Sequence, residues 1–229
     1  MHPTLEDVVK GIFNFVGLEV RKRKRNLLTL SDGTEDFQSL FKKVRAYTLV
    51  GQERCFMLYQ LAEYANAKEG EMAEVGVYKG GTSKLISKVA AKATKTVHIF
   101  DTFSGMPLTD MTKDRHEEGD FSDTSLDNVK KYLEDCSNVQ FYQGLFPETS
   151  APVVDLPFCF VHIDVDIYKS VMDCCEFFYP RLVKGGIMIF DDYGFLSCPG
   201  AKMAVDQFFS DRAERPCYLP TGQCLVIKL

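Results

Sequence analysis

Two pairs of aspartates follow short apolar runs in the second half of the chain: Asp164 and Asp166 after FVHI (160–163), Asp191 and Asp192 after IMIF (187–190). The residues between the runs are helical in composition, so 160–194 reads as strand, helix, strand. Parallel, neighbouring strands would bring both acidic tips together. In open α/β sheets the crevice beyond the carboxyl ends of the strands is where ligands bind. Carboxylates gathered there repel one another unless a cation offsets them, and a hard, oxygen-preferring ion such as Mg²⁺ suits an all-oxygen set. Asp164, Asp191 and Asp192 are therefore candidate metal ligands. Asp164 and Asp166 are the candidate catalytic pair, with Asp166 placed to take a proton as general base. The alternatives for Asp166 are a cap on the helix that starts at Tyr168 or support for the metal from behind its ligands, and Asp164 is also a candidate cofactor contact.

A second cluster lies upstream. Glu74, Gly76, Tyr78, Gly80, Thr82 and Ser83 fall within EVGVYKGGTS (74–83), at a strand-to-helix turn. Glycines there let backbone approach a ligand closely, and the helix start offers unpaired N–H groups. The spacing is not GxGxxG, which weakens a dinucleotide reading, and no GxxxxGK[ST] occurs, so no P-loop is expected. Asp101, followed by Thr102, ends the next strand, where an acidic side chain can accept hydrogen bonds from ribose hydroxyls. A ribose without a pyrophosphate fits an adenosine-type cofactor such as S-adenosyl-L-methionine.

The elements that must position these residues alternate. Strands are expected at 71–77, 96–100, 139–144, 158–164 and 187–190, and helices at 83–93, 125–135, 168–182 and 200–212. Two more helices are expected between Phe37 and Ala67, broken around Thr48–Gln52. The end, CYLPTGQCLVIKL, reads as a hairpin turning at Thr221-Gly222. Apolar strands alternating with helices imply a mostly parallel sheet covered on both faces. Five such strands and a closing antiparallel pair make the seven-stranded, Rossmann-like layout of class I S-adenosylmethionine-dependent methyltransferases. Residues 1–68 are read as a helical extension and 69–229 as the methyltransferase domain. Residues 5–20 suit a short helix, and Arg21–Arg25 is a basic run most simply read as a solvated face.

At 229 residues, with 45% hydrophobic and 26% charged residues, the chain suits one α/β domain. A formal charge of −5 disfavours a nucleic-acid partner. No apolar run approaches the ~20 residues of a membrane span. Acidic and basic residues within 5–20 speak against a secretory signal, and eight cysteines without a CxxC pair suit reduced thiols in the cytoplasm. The polar stretch 106–124 is read as a loop or lid, and His116 within it is weighed as a catalytic group carried over the site, with no further residue pattern to support it. His162 should face away from Val161 and Ile163, as a core histidine. Tyr168 and Tyr193 are weighed as pocket residues and Lys169 as a base, each against a packing or surface role.

Together EVGVYKGGTS, DTFSGMP (101–107), GLFPET (144–149), HIDVDIYKSVMD (162–173) and GGIMIFDDYG (185–194) resemble the macrocin O-methyltransferase family. YTLVGQERCFMLYQLAEYA (47–65) resembles the helical lead-in of those enzymes, so the likeness runs from about Tyr47 to the C-terminus. Residues 1–46 match no family motif, and the Trp often found near the family's carboxyl end is missing. The resemblance implies S-adenosyl-L-methionine held by Glu74, Gly76, Gly80, Thr82, Ser83 and Asp101, Mg²⁺ on Asp164, Asp191 and Asp192, and a homo-oligomer. It also implies methyl transfer to a hydroxyl, typically of a natural-product sugar. A metal-chelating acceptor would be a vicinal diol, in a sugar or a catechol-like ring. A catechol-type acceptor, a nicotinamide-dependent oxidoreductase and a non-catalytic cofactor- or partner-binding module are the competing expectations.

Overall fold

The computed structural model describes residues 34–229, so the expected helix over 5–20 and the run Arg21–Arg25 lie outside the described residues. Helices α1 (Glu35–Val44) and α2 (Gln52–Ala65) precede β1 (Glu71–Val75), α3 (Gly81–Ala90) and β2 (Val97–Asp101). There follow α4 (Leu126–Tyr132), β3 (Val139–Gln143), β4 (Phe158–Ile163), α5 (Tyr168–Phe178), β5 (Leu182–Phe190), α6 (Pro199–Phe209), β6 (Cys217–Tyr218) and β7 (Cys224–Ile227). The strands form one sheet in the order β3-β2-β1-β4-β5-β7-β6. The first five are parallel; β7 runs antiparallel to both β5 and β6.

Both faces of the sheet are buried, and alternate strand residues feed two cores. Met72, Ile99, Phe160, Ile187 and Ile189 pack with Leu58, Leu85 and Ile86 under α2 and α3. Val75, Phe100, Val161, Ile163, Met188 and Phe190 pack with Phe178 and Phe209 under α5 and α6. The alternation leaves His162 on the α2–α3 face, opposite Val161 and Ile163, as the strand period requires. Thr34 caps α1 by accepting from the Phe37 N–H at 3.4 Å, with Glu35 and Asp36 in the first turn and Lys42 and Lys43 in the last. Phe37 and Val44 of this helix are fully buried in the α2–α3 core.

Two expected boundaries move. The helix from Tyr168 stops at Phe178, a 3₁₀ turn spans Tyr179–Arg181, and β5 begins at Leu182 instead of 187. Pro180 sits in that turn, where its missing N–H is tolerated. Gly185, at φ +75°, still donates its N–H to Lys228 O at 2.7 Å, so the last segment of chain holds the glycine-containing start of β5 in place. At the other end, β1 stops at Val75 because Gly76 turns the chain at φ +88°.

Candidate active site

The register of the central strands brings the distant motifs together. Val75 of β1 pairs with Ile163 of β4, and Ile163 pairs with Phe190 of β5. The next residues stay in step: Asp164 N donates to Val75 O, and Asp191 N to Ile163 O, both at 2.9 Å. The strand order reverses between β1 and β4, which makes this the switch point where ligands bind in open α/β sheets. A cleft of about 290 Å³ opens there. Gly76, Tyr78, Thr82, Asp101 and Thr102 line one part of it, and Asp164, Asp166, Asp192 and Phe195 another.

On the glycine side, a Cβ added at Gly76 would lie 1.8 Å from the Asp164 carbonyl oxygen, so only glycine lets β1 pass the β4 tip. Asp101 clamps the loop that follows. Its Oδ2 accepts from the N–H groups of Val77 at 2.6 Å and Tyr78 at 3.0 Å, and its Oδ1 from Phe103 at 2.6 Å. Gly80 caps α3 in the left-handed region and packs against Val129, outside the cleft lining. Glu74 and Ser83 also stay out of the lining. Both are fully buried beneath the loop, where Ser83 Oγ donates to Glu74 Oε2 and His162 Nδ1 lies 2.8 Å from Glu74 Oε1.

On the acidic side, Asp164, Asp191 and Asp192 present oxygens that all lie within 4.8 Å of one another. Three residues modify this cluster: Arg54 and Gln223, which the sequence did not single out, and His162, expected there only as a core histidine. Arg54 of α2 donates to Asp191 Oδ2, and Gln223, from the turn before β7, donates to Asp191 Oδ1 at 2.8 Å. His162 Nε2 stands 3.6 Å from the same oxygen, an ion-pair distance longer than a hydrogen bond. Burial alone would depress the His162 imidazole, but Asp191 and Glu74 outweigh it and raise it to about 10, so it is cationic at neutral pH. Burial would lift Asp191; His162, Arg54 and Gln223 reverse that and hold its carboxyl below the ordinary range. Asp164 and Asp192 lack comparable support. Burial first, then the charges of neighbouring aspartates, push both well above the usual carboxylate range. An all-oxygen set with two uncompensated members fits a hard divalent cation.

The 106–124 segment folds over this end of the sheet. Its base is pinned by Met106 N to Asp120 O at 2.7 Å and Gly119 N to Met106 O at 3.0 Å. Asp114, buried, accepts the N–H of Tyr168 at 2.8 Å and so caps α5. The cap considered for Asp166 is thus supplied from the lid instead. Asp166 takes a left-handed backbone, φ +58°, and donates its N–H to Asp192 Oδ2 at 3.0 Å. Its side chain meets His116 and Cys198 at the cleft wall. Lys169 pairs with Asp173 on the surface, which leaves it no role as a base. Tyr168 and Tyr193 bond Gln207 and Asp206 and are absent from the cleft lining.

The strand order, the glycine turn after β1 and the acidic tip of β2 define a class I methyltransferase fold. Solved structures agree: the O-methyltransferase NovP superposes with a TM-score of 0.69 at 25% identity, covering 80% of this chain and 82% of that one. The calicheamicin methyltransferase CalS11 gives 0.66 over 91% and 97% of the two chains, at 18% identity, a likeness of fold alone.

Residues 21–216 match the macrocin O-methyltransferase (TylF) family, and the chain belongs to it. The match starts upstream of Tyr47, where the recognisable motifs begin. Among relatives, the mycinamicin III 3''-O-methyltransferase of Micromonospora griseorubida is 30% identical over 67% of each chain. The 8-demethyl-8-(2,3-dimethoxy-alpha-L-rhamnosyl)-tetracenomycin-C 4'-O-methyltransferase of Streptomyces olivaceus is 28% identical, over 68% of this chain and 66% of its own length. The chain therefore spans about two thirds of the curated relatives it matches.

Proposed function

We propose that this chain transfers a methyl group from S-adenosyl-L-methionine to a hydroxyl of a small molecule, most simply a sugar of a glycoside, with Mg²⁺ held by Asp164, Asp191 and Asp192. One observation carries this reading: a single cleft is bounded by the glycine loop with Asp101 and by Asp164 and Asp192, with Asp191 buried directly behind them. Relatives named for methylation of glycosylated natural products support the acceptor class.

Methyl transfer from a sulfonium is an in-line displacement, so the protein's task is to align the acceptor oxygen, methyl carbon and sulfur. Gly76 admits the cofactor close to the backbone, Thr82 offers a hydroxyl to it, Thr102 borders it while its own hydroxyl ties the turn to Gly105 O at 2.7 Å, and Asp101 holds the loop and faces its ribose. Glu74 and Ser83 act from below, as supports for the loop. Bound at the aspartates, Mg²⁺ supplies charge compensation and Lewis acidity. Asp166 receives the acceptor's proton: burial raises its carboxyl, which the His116 charge partly opposes, and a raised carboxylate is a better base. The helical segment ahead of β1 contributes Thr48, Leu49, Val50 and Arg54 to the cleft and so shapes the acceptor side. We place the protein in the cytoplasm, on the strength of eight thiols outside any disulfide.

The test is a mass-spectrometric screen for methylated product, with panels of glycosides and catechols, in Mg²⁺ and in chelator. Chelator-sensitive methylation of a glycoside is the expected result. Methylated catechols alone would shift the acceptor class. No product, with S-adenosylhomocysteine still bound, would make the chain a cofactor-binding module.

A further inference from the structure

Beside the aspartate cluster lies a second group of different chemistry. His116 comes from the lid, Asp166 from the turn after β4, and Cys198 from the N-cap of α6. Cys198 Sγ lies 3.3 Å from Asp166 Oδ1 and 3.7 Å from His116 Nε2, and His116 Nε2 lies 3.6 Å from Asp166 Oδ1. Those three edges nearly make an equilateral triangle. With metal–sulfur bonds near 2.3 Å and metal–nitrogen or metal–oxygen bonds about 2.0–2.2 Å, one face of a zinc tetrahedron has edges of roughly 3.3–3.6 Å.

The orientation of the imidazole agrees. His116 Nδ1 is 2.9 Å from Asp120 Oδ2, and that carboxylate also accepts the Glu117 N–H at 3.1 Å. A carboxylate on the far nitrogen fixes the tautomer that leaves Nε2 free to ligate, an arrangement typical of metal-bound histidines. The donor set is one nitrogen, one oxygen and one sulfur, which favours zinc-like ions over Mg²⁺. All three residues also line the cleft, so the fourth coordination position of a tetrahedron would look into it.

We propose that His116, Asp166 and Cys198 form a second metal site, for a zinc-like divalent ion, separate from the hard aspartate cluster. Asp120 is its positioning residue. Binding converts the Cys198 thiol to a thiolate and releases that proton to solvent; nothing is oxidised or reduced. The ion joins the lid to the β4–α5 turn and to the start of α6, so it clasps 106–124 over the cleft.

The experiment is a Co²⁺ titration of the full chain in saturating Mg²⁺, read by the thiolate-to-cobalt charge-transfer band in the near ultraviolet. One equivalent of Co²⁺ should develop the band, and Zn²⁺ should bleach it. C198S should abolish the band while S-adenosylhomocysteine binding and far-ultraviolet dichroism are retained. Asp120→Asn, at a half-exposed position, should weaken Co²⁺ binding by about 10–100-fold without removing the band. Asp191→Asn should leave the band intact. No band at millimolar Co²⁺, a band that survives C198S, or one that vanishes with Asp191→Asn would each overturn the site.

Discussion

Asp191 is the most heavily supported carboxylate of the cluster, and its neighbours would suffer most from its neutralisation. Asp191→Asn leaves Arg54 and the His162 imidazolium facing an amide, and it removes one charge from the proposed ion site. Metal-dependent turnover should fall by roughly 100-fold or more, since several kcal/mol of charge stabilisation go with the ion. The cofactor side is built from other residues, so S-adenosylhomocysteine affinity measured by calorimetry should change only a few-fold. Wild-type turnover in this variant would remove Asp191 from the reaction. Glu214, between α6 and β6, is a carboxylate held by a different set of partners. Its Oε2 accepts from Tyr179 Oη at 2.7 Å, its Oε1 from the Leu229 N–H at 3.2 Å, and Lys228 stands 3.5 Å away. Burial would lift this carboxyl, but Tyr179, the backbone donors and Lys228 together lower it to about 2. A folded-state value below the unfolded one gives stability that is present above pH ~4.5 and is lost as pH falls toward 2. Glu214→Gln should therefore cost about 1–3 kcal/mol at pH 7, a fall in Tm of some degrees. The gap to wild type should narrow below pH ~4.5 in a pH series of thermal melts. A constant gap down to pH 2 would mean the charge is not what stabilises the contact.

At the scale of elements, the lid depends on one small residue. A Cβ at Gly200 would sit 1.9 Å from Asp114 Oδ1 and 2.8 Å from Tyr168 N, so α6 must present glycine where the lid caps α5. Gly200→Ala should expel Asp114 and free the segment it anchors, as should Asp114→Ala, at about 1 kcal/mol for the lost cap. Limited proteolysis is the readout: cleavage within 106–124 should quicken in both variants and not elsewhere. Unchanged cleavage would show that the base of the loop, Met106 with Asp120 and Gly119, holds it unaided.

At the scale of the molecule, the cleft joins parts far apart in sequence, from Thr48 to Cys198, so a ligand in it should stabilise the whole fold. A ligand at 100 times its Kd adds about 2.7 kcal/mol. For a chain of this length that corresponds to a Tm rise of roughly 5–10 °C with S-adenosylhomocysteine. No shift in a cooperatively melting sample would count against cofactor binding in the cleft. Among the described residues no helix is long and apolar enough to cross a membrane.

The fold is largely legible in the sequence. Apolar runs of strand length, separated by helical periods and closed by a Thr-Gly turn, specify a parallel α/β sheet with a terminal hairpin, because local period and turn chemistry are written in adjacent residues. Boundaries were less so: Pro180 and Gly185 blurred the junction between α5 and β5, which the pairing with the last strand resolves. The acidic tips after β4 and β5 were readable for the same local reason. What only the tertiary structure decided was who meets them. Arg54 arrives from a helix 137 residues away from Asp191, Gln223 from the final turn, and His116 from a polar loop with no periodic pattern. Glu74 and Ser83 look like ligand contacts in a linear motif, yet strand alternation turns Glu74 toward His162, its partner in the β1–β4 register. Spacing along the chain encodes which face a residue takes. Contacts between elements depend on packing and register, which no short window of sequence contains.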